Sequence, residues 1–105
     1  MQTILYRLKI KPGMMPRFKE YVAEFESRRA ECDASMVGEG ADAESFFYVD
    51  DEVFVSKRVR DIAAMKHYQQ TSGDAIYEVV KRMAADCILE QTVYPSVLSF
   101  DIVKG

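Results

Sequence analysis

The chain contains no tryptophan and no asparagine, and it has only one histidine, two cysteines, five glycines and three prolines. Cys32 and Cys87 stand alone, so they form neither a disulfide framework nor a CxxC redox motif, and we expect two buried thiols in a reducing cytoplasm. One histidine among scattered carboxylates gives no ligand cluster of recognisable spacing, so we expect no metal. The glycines form no phosphate-binding or nucleophile motif, and nothing in the sequence indicates a cofactor.

Basic residues are in slight deficit, with 14 Lys and Arg against 17 Asp and Glu and a net charge of -3. A nucleic-acid partner is disfavoured because no basic surplus exists to neutralise a phosphate backbone. The longest apolar runs are only a few residues, far below the ~20 that cross a bilayer, and the N-terminal segment lacks the pattern of a signal peptide. We therefore expect a cytoplasmic protein with neither nucleic-acid nor membrane partners.

Hydrophobic periodicity alternates between the strand and helix repeats along the chain. The predicted elements are a strand over 3–10, a helix over 16–36, strands over 44–49 and 52–59, a short helix over 62–70 that Asp61 caps, a helix over 75–89 and a strand over 97–103. This order is the split βαβ, or ferredoxin-like, pattern with one broken helix. The sequence thus predicts one α+β domain over residues 1–105, with a four-stranded antiparallel sheet.

Both faces of the predicted sheet carry apolar side chains. In the strand over 44–49, Phe46 and Tyr48 point one way while Phe47 and Val49 point the other. Two helices cover only one face of a four-stranded sheet, so the other apolar face needs a different cover. In a chain of this length the obvious cover is a second copy. We therefore expect a homodimer joined through the sheet face, which would form an α+β barrel between the subunits.

The opening run Tyr6-Arg7-Leu8-Lys9-Ile10-Lys11-Pro12-Gly13 resembles the strand and turn that begin many members of the dimeric α+β barrel superfamily, which includes the antibiotic-biosynthesis monooxygenases. Three further runs resemble a small bacterial family without an assigned function; they are Phe18-Lys19-Glu20-Tyr21, Ser27-Arg28-Arg29-Ala30-Glu31 and Ala43-Glu44-Ser45-Phe46-Phe47. The likeness covers roughly the first half of the chain. It implies the fold more specifically than it implies any chemistry.

The superfamily includes oxygenases without a cofactor, haem-degrading enzymes, isomerases and proteins without demonstrated activity. Haem-degrading members resemble one another in an Asn, Trp and His pocket, and this chain has neither Asn nor Trp. Oxygenases without a cofactor have few obligatory residues, because the substrate itself reacts with oxygen. The resemblance therefore leaves an oxygenase-like enzyme open as an alternative.

Arg29 falls in the middle of the apolar stripe of the first predicted helix, which consists of Phe18, Val22, Phe25, Cys32 and Met36. A buried guanidinium needs a carboxylate partner, for which Glu44 is favoured and Glu26 and Asp101 are the alternatives. Such an arginine would either bind an anion in a helix–sheet pocket or act as a structural brace.

The remaining candidates are aromatic or titratable. Tyr6 and Tyr48 could present hydroxyl groups to the same pocket as Arg29 and Glu44, and His67 is a weak candidate for a general base at its mouth. We therefore expect a small homodimeric protein that binds an aromatic or anionic organic molecule in a helix–sheet pocket. A structural or regulatory dimer without catalysis is the other alternative.

Overall fold

A computed structural model describes residues 1–100, 102 and 104 of the chain. Along these residues the elements are β1 (Gln2–Ile10), α1 (Met15–Ser27), α2 (Arg29–Glu39), β2 (Ala41–Val49), β3 (Glu52–Val59), α3 (Ile62–Thr71), α4 (Ile76–Cys87) and β4 (Ile88–Val97). The strands form an antiparallel sheet in the order β2-β3-β1-β4. The predicted α+β class and ferredoxin-like order are confirmed.

The long helix predicted over 16–36 is divided into two helices at Arg28. The backbone of Arg28 leaves the helical region with a ψ of 38°, although its N–H still donates to the carbonyls of Glu24 and Phe25. The two halves pack against different neighbours, since α1 contacts α4 whereas α2 contacts mainly α3. No Gly or Pro marks this break, so the residue pattern alone predicts a continuous helix.

The C-terminal half differs from its prediction in where the last strand begins. Helix α4 ends at Cys87 and β4 follows without a loop, whereas the sequence predicts a helix to Leu89 and a strand over 97–103. Two residues of that predicted strand, 101 and 103, lie outside the described residues. The alternating apolar residues Leu98, Phe100 and Ile102 follow β4 and are almost fully exposed.

The helices cover one face of the sheet, and the core lies between them. The buried hydrophobic residues there are Ile4, Leu8, Ile10, Phe18, Tyr21, Val53, Val55, Val59, Met65, Ile76, Val79, Met83 and Cys87. At the edge of this layer, the ring centroid of Phe18 lies 6.4 Å from that of Phe46 and 6.3 Å from that of Tyr48. The helix-facing row of β2 is therefore aromatic and only partly covered.

The opposite face of the sheet, here called the open face, is not covered by any element of the described chain. Register places Phe47, Phe54 and Arg7 side by side on it, with Leu5 in the next row. Phe47 and Val49 are 53% and 51% exposed. Charged pairs are interspersed among these apolar side chains, as in the bidentate contact between Arg7 and Glu52 at 2.6 and 3.2 Å.

Candidate functional site

A buried charge cluster lies where α2, α3 and α4 meet one end of the sheet. Its centre is Lys57 of β3, whose side chain is 9% exposed and whose neighbours on the same face are Val55 and Val59. The Nζ of Lys57 lies 2.6 Å from Oε1 of Glu39 and 3.1 Å from Oε2 of Glu44. The Glu39 side chain is 1% exposed, so this ion pair is isolated from water on the Glu39 side.

Two neutral donors complete the hydrogen bonding of Glu39. The hydroxyl of Tyr77 donates to Oε2 of Glu39 at 2.7 Å, and Nε2 of Gln69 donates to the same oxygen at 2.8 Å. A buried carboxylate is costly unless it is both paired and hydrogen-bonded, and Glu39 is both. Helices α3 and α4 are thereby joined to the last residue of α2 through one side chain.

The electrostatics of this cluster favour the charged form of Lys57. Burial by itself lowers the pKa of Lys57, but the charge of Glu44 and the hydrogen bond and charge of Glu39 outweigh that effect, so the pKa is raised. Burial, followed by the hydrogen bond to Glu39, raises the pKa of Tyr77 well above its ordinary value. Lys57 therefore stays protonated and Tyr77 stays neutral at physiological pH.

A second polar network lies beside the first one and joins the same helices. Oδ2 of Asp74 accepts from the hydroxyl of Tyr68 at 2.6 Å and from that of Ser35 at 2.8 Å. These hydrogen bonds, from Tyr68 first and then Ser35, lower the pKa of Asp74. The Tyr68 ring lies directly over Gly38, where a Cβ atom would stand 2.1 Å from ring atom Cζ. Only glycine fits at this position without moving the ring.

Comparison with known proteins places the chain in a family. Residues 1–100 match the sequence profile of the family of unknown function DUF6176. The chain belongs to this family. No match is found for this DUF6176 chain among proteins of curated function.

Solved structures with the same fold are similar to this DUF6176 chain over nearly its whole length. One is described as an antibiotic biosynthesis monooxygenase (TM-score 0.63, 18% identity, 99% of this chain and 100% of that one). A protein of unknown function from Nitrosomonas europaea has TM-score 0.65 and 15% identity, covering 98% and 94%. Rv0793 from Mycobacterium tuberculosis has TM-score 0.63 and 10% identity, covering 97% of each chain. The predicted resemblance to the monooxygenase-like fold is confirmed, and at these identities the likeness concerns the fold.

Three of the four predicted ligand-binding residues lie on the helix-facing side of the sheet, on two different strands. Glu44 pairs in register with Lys57. Tyr6 lies in the next row of the same face, which contains Val55, and Tyr48 lies one row further on, beside Val53. Within the described residues, neither Oε1 of Glu44 nor the hydroxyl groups of Tyr6 and Tyr48 have a hydrogen-bond partner. Burial raises the pKa of Tyr6, partly offset by the charge of Lys57. These three polar groups are thus left without a hydrogen-bond partner in the part of the chain that the structure describes.

The fourth residue, Arg29, lies elsewhere, and its predicted burial and pairing with Glu44 are wrong. Its side chain is 78% exposed, and its Nε lies 3.0 Å from Oδ1 of Asp33, one turn further along α2. The break at Arg28 makes Arg29 the first residue of a new helix, whose inward face consists of Cys32, Ser35, Met36 and Glu39. The cation that meets Glu44 is Lys57 instead.

His67 also lies away from the cluster, because it is on the exposed side of α3. The inward residues of that helix are Met65, Tyr68 and Gln69, of which the last two belong to the polar networks. Sequence reasoning missed Lys57, Glu39 and Tyr77. The signal for Lys57 was present, since strand alternation puts it on the same face as Val53, Val55 and Val59. Glu39 and Tyr77 depend on helix packing and carried no comparable signal.

The described residues contain no helix long and apolar enough to span a membrane. Among the same residues, no group of three or more His, Cys, Asp or Glu side chains is arranged to hold a metal ion.

Proposed function

We propose that this protein is a homodimer whose subunits each bind a small aromatic molecule against the helix-facing side of β2. The observation that carries the proposal is the set of unpartnered polar groups of Tyr6, Glu44 and Tyr48 on the same sheet face as the partly covered ring of Phe46. β2 is an edge strand, so a planar molecule can reach this row from the side. Aromatic side chains with a few convergent polar groups are typical of small-molecule sites.

The charge of the site favours a hydrogen-bond donor over an anion. Two carboxylates, Glu39 and Glu44, surround one ammonium group, so the cluster carries a net negative charge. With Arg29 paired to Asp33 on the surface, no unpaired cation of this cluster remains for an anionic ligand. Oε1 of Glu44 is a ready acceptor for a phenolic hydroxyl. The proposed ligand is therefore a hydroxylated aromatic compound.

The proposed dimer would cover the open face. Its apolar residues Leu5, Phe47 and Val49 lie among the charged pairs, and a stable interface combines such an apolar centre with polar surroundings. The almost fully exposed Leu98 and Phe100 lie just beyond β4 and would gain cover on the partner subunit. A monomer would leave all of these side chains in water.

The ligand proposal is tested by titrating the purified protein with catechol, benzoate and cyclohexanol while recording amide chemical shifts. We expect saturable binding of catechol, weaker binding of benzoate because of charge repulsion, and none of cyclohexanol. Glu44→Gln and Tyr6→Phe should each weaken catechol binding, whereas the control Glu20→Gln, on the exposed surface of α1, should not. If the chemical-shift changes caused by catechol do not saturate, or if all three variants bind catechol as tightly as the parent protein, the proposal is overturned.

Two alternatives are separated by the same samples. If a bound dihydroxyaromatic causes oxygen uptake that Tyr6→Phe abolishes, the site belongs to an oxygenase that uses no cofactor. One similar structure is described as an antibiotic biosynthesis monooxygenase, which supports measuring this activity. If nothing binds while the cluster and the dimer are intact, the Lys57 cluster serves as a brace in a structural or regulatory dimer.

A further inference from the structure

Arg60 differs from the other arginines of the described chain. Each of the others lies within salt-bridge distance of a carboxylate; these are Arg7, Arg17, Arg28, Arg29, Arg58 and Arg82. Within the described residues, Arg60 has no carboxylate partner, and its guanidinium donates no hydrogen bond to the carbonyls at the end of α2. A cation left unpaired in a protein this rich in surface ion pairs is available for an external anion.

The position of Arg60 is set by its backbone and by Gly40. The N–H of Arg60 donates to the carbonyl of Gly40 at 3.0 Å, which holds the end of β3 beside the end of α2. Gly40 has a φ of 71°, and the Nε of Arg60 lies 3.4 Å from where its Cβ would be. The arginine side chain therefore lies over the bare backbone of Gly40.

Arg60 is part of the wall of an open groove of about 340 Å³. The groove is lined by Met1, Val37, Gly40, Ala41, Asp42 and Arg60. The carboxylate of Asp42 does not compete for Arg60, because its two oxygens accept from Nε and Nη2 of Arg58 at 2.8 and 2.9 Å. The other side of the groove is apolar, since Met1 and the exposed Val37 contribute hydrocarbon surface.

We propose that this groove is a second binding site, which takes a small aliphatic carboxylate. A guanidinium presents a planar pair of donors that matches the two oxygens of a carboxylate. The hydrocarbon chain of the ligand would lie on Met1 and Val37, where it covers apolar surface that is now in water. An inorganic phosphate lacks such a chain and would leave this surface uncovered. The site is independent of the Lys57 cluster, because the two share no residue.

The test is an amide chemical-shift titration of the full chain with hexanoate, compared with acetate, hexanol and inorganic phosphate. We expect saturable shifts at Val37, Gly40, Ala41 and Arg60 with hexanoate, and weaker binding of the other three probes. Arg60→Gln should weaken hexanoate binding at least about ten-fold, since it removes a charge-assisted pair of hydrogen bonds. The control Arg29→Gln, which removes a surface arginine elsewhere, should leave it unchanged.

Val37→Ser provides a second variant that does not touch the charge. It should weaken the binding of hexanoate and not that of acetate. Shifts that persist in Arg60→Gln, equal binding of hexanol, or phosphate binding as tight as that of hexanoate would each overturn the proposal. Glu44→Gln and Tyr6→Phe should leave hexanoate binding intact, so a failure of the aromatic-ligand proposal is distinguishable from a failure of this one.

Discussion

The Nζ of Lys57 lies 2.6 Å from Oε1 of Glu39, in a pair that joins the third strand to the end of the second helix. Both side chains are buried, and the strand neighbours of Lys57 on its face of β3 are Val55 and Val59. A pair of this kind is stabilising only relative to its broken form, because both charges have lost their water. It consequently joins the end of α2 to β3, and the same ammonium group also lies 3.1 Å from Oε2 of Glu44 on β2.

Removing the buried cation should therefore destabilise the protein strongly. Lys57→Met leaves Glu39 buried without its counter-charge, and we expect a loss of about 3–5 kcal/mol in the free energy of unfolding. The exposed control Lys81→Met, which removes a surface pair with Glu78, should change it by less than about 0.5 kcal/mol. Urea unfolding followed by circular dichroism measures both. The double variant Glu39→Met/Lys57→Met should recover part of the loss, and no recovery would contradict the pairing.

The same cluster predicts a loss of stability in alkali. The pKa of Lys57 and that of Tyr77 are both raised in the folded protein. A group whose pKa is raised on folding contributes stability that is complete below its unfolded pKa and is lost as the pH rises through its folded pKa. For Lys57 the unfolded value is 10.5. Stability should thus fall as the pH rises above this value, and less steeply in Tyr77→Phe. The measurement is the urea midpoint of unfolding as a function of pH. If the midpoint falls equally steeply above pH 10.5 in the parent protein and in Tyr77→Phe, Tyr77 makes no contribution to the loss of stability.

Gly38 is expected to be intolerant of alanine because of the Tyr68 ring. In an ordinary helix Gly→Ala stabilises by about 0.5–1 kcal/mol, but here the new Cβ would overlap ring atoms Cζ and Cε2. The ring would have to move, and its hydrogen bond to Asp74 would break. Gly38→Ala should thus lower the melting temperature, whereas in a Tyr68→Ala background the same change should be neutral or stabilising. Additive effects in this double-mutant cycle would contradict the close packing.

The proposed dimer can be tested with a matched pair of substitutions. Val49 on the open face and Val80 on α4 are exposed to 51% and 41%, so aspartate at either position should leave the subunit folded. Val49→Asp would place a carboxylate in the proposed interface, where it would be buried against the second subunit without a cation to pair with. This substitution should therefore shift the protein from dimer towards monomer. Val80→Asp should not. Molar mass from light scattering, measured over a range of concentrations, reports the difference, and a monomeric parent protein would refute the interface.

Local patterns were sufficient for most of the fold. The alternation in β1 and in β3 predicts both strands, and the observed β3 has the predicted bounds of 52–59. Asp61 caps α3 as expected, with its Oδ1 accepting from the N–H of Ala64 at 2.9 Å. These features depend on residues close together in the chain, so they are visible without the tertiary structure.

The candidate site was predicted only in part. Tyr6, Glu44 and Tyr48 share a face because strand register follows from alternation, which the sequence displays. The cation was assigned to Arg29 because a continuous helix places that residue in the apolar stripe. The break at Arg28 changes the phase of α2, and no glycine or proline lies at this position to announce it in the sequence.

The residue pattern of the chain by itself determined the order of strands and helices, the two-sided apolar sheet and the absence of an Asn and Trp pocket. Periodicity and composition are properties of neighbouring residues, and these conclusions needed nothing more. Tertiary structure alone decided which charges are buried together. Lys57, Glu39 and Tyr77 come from three separate elements, and their ion pair and hydrogen bond form only when two helices dock on the sheet at one place. Long-range packing therefore determines that Lys57, and not Arg29, lies beside Glu44, and the pattern of residues along the chain does not contain this information.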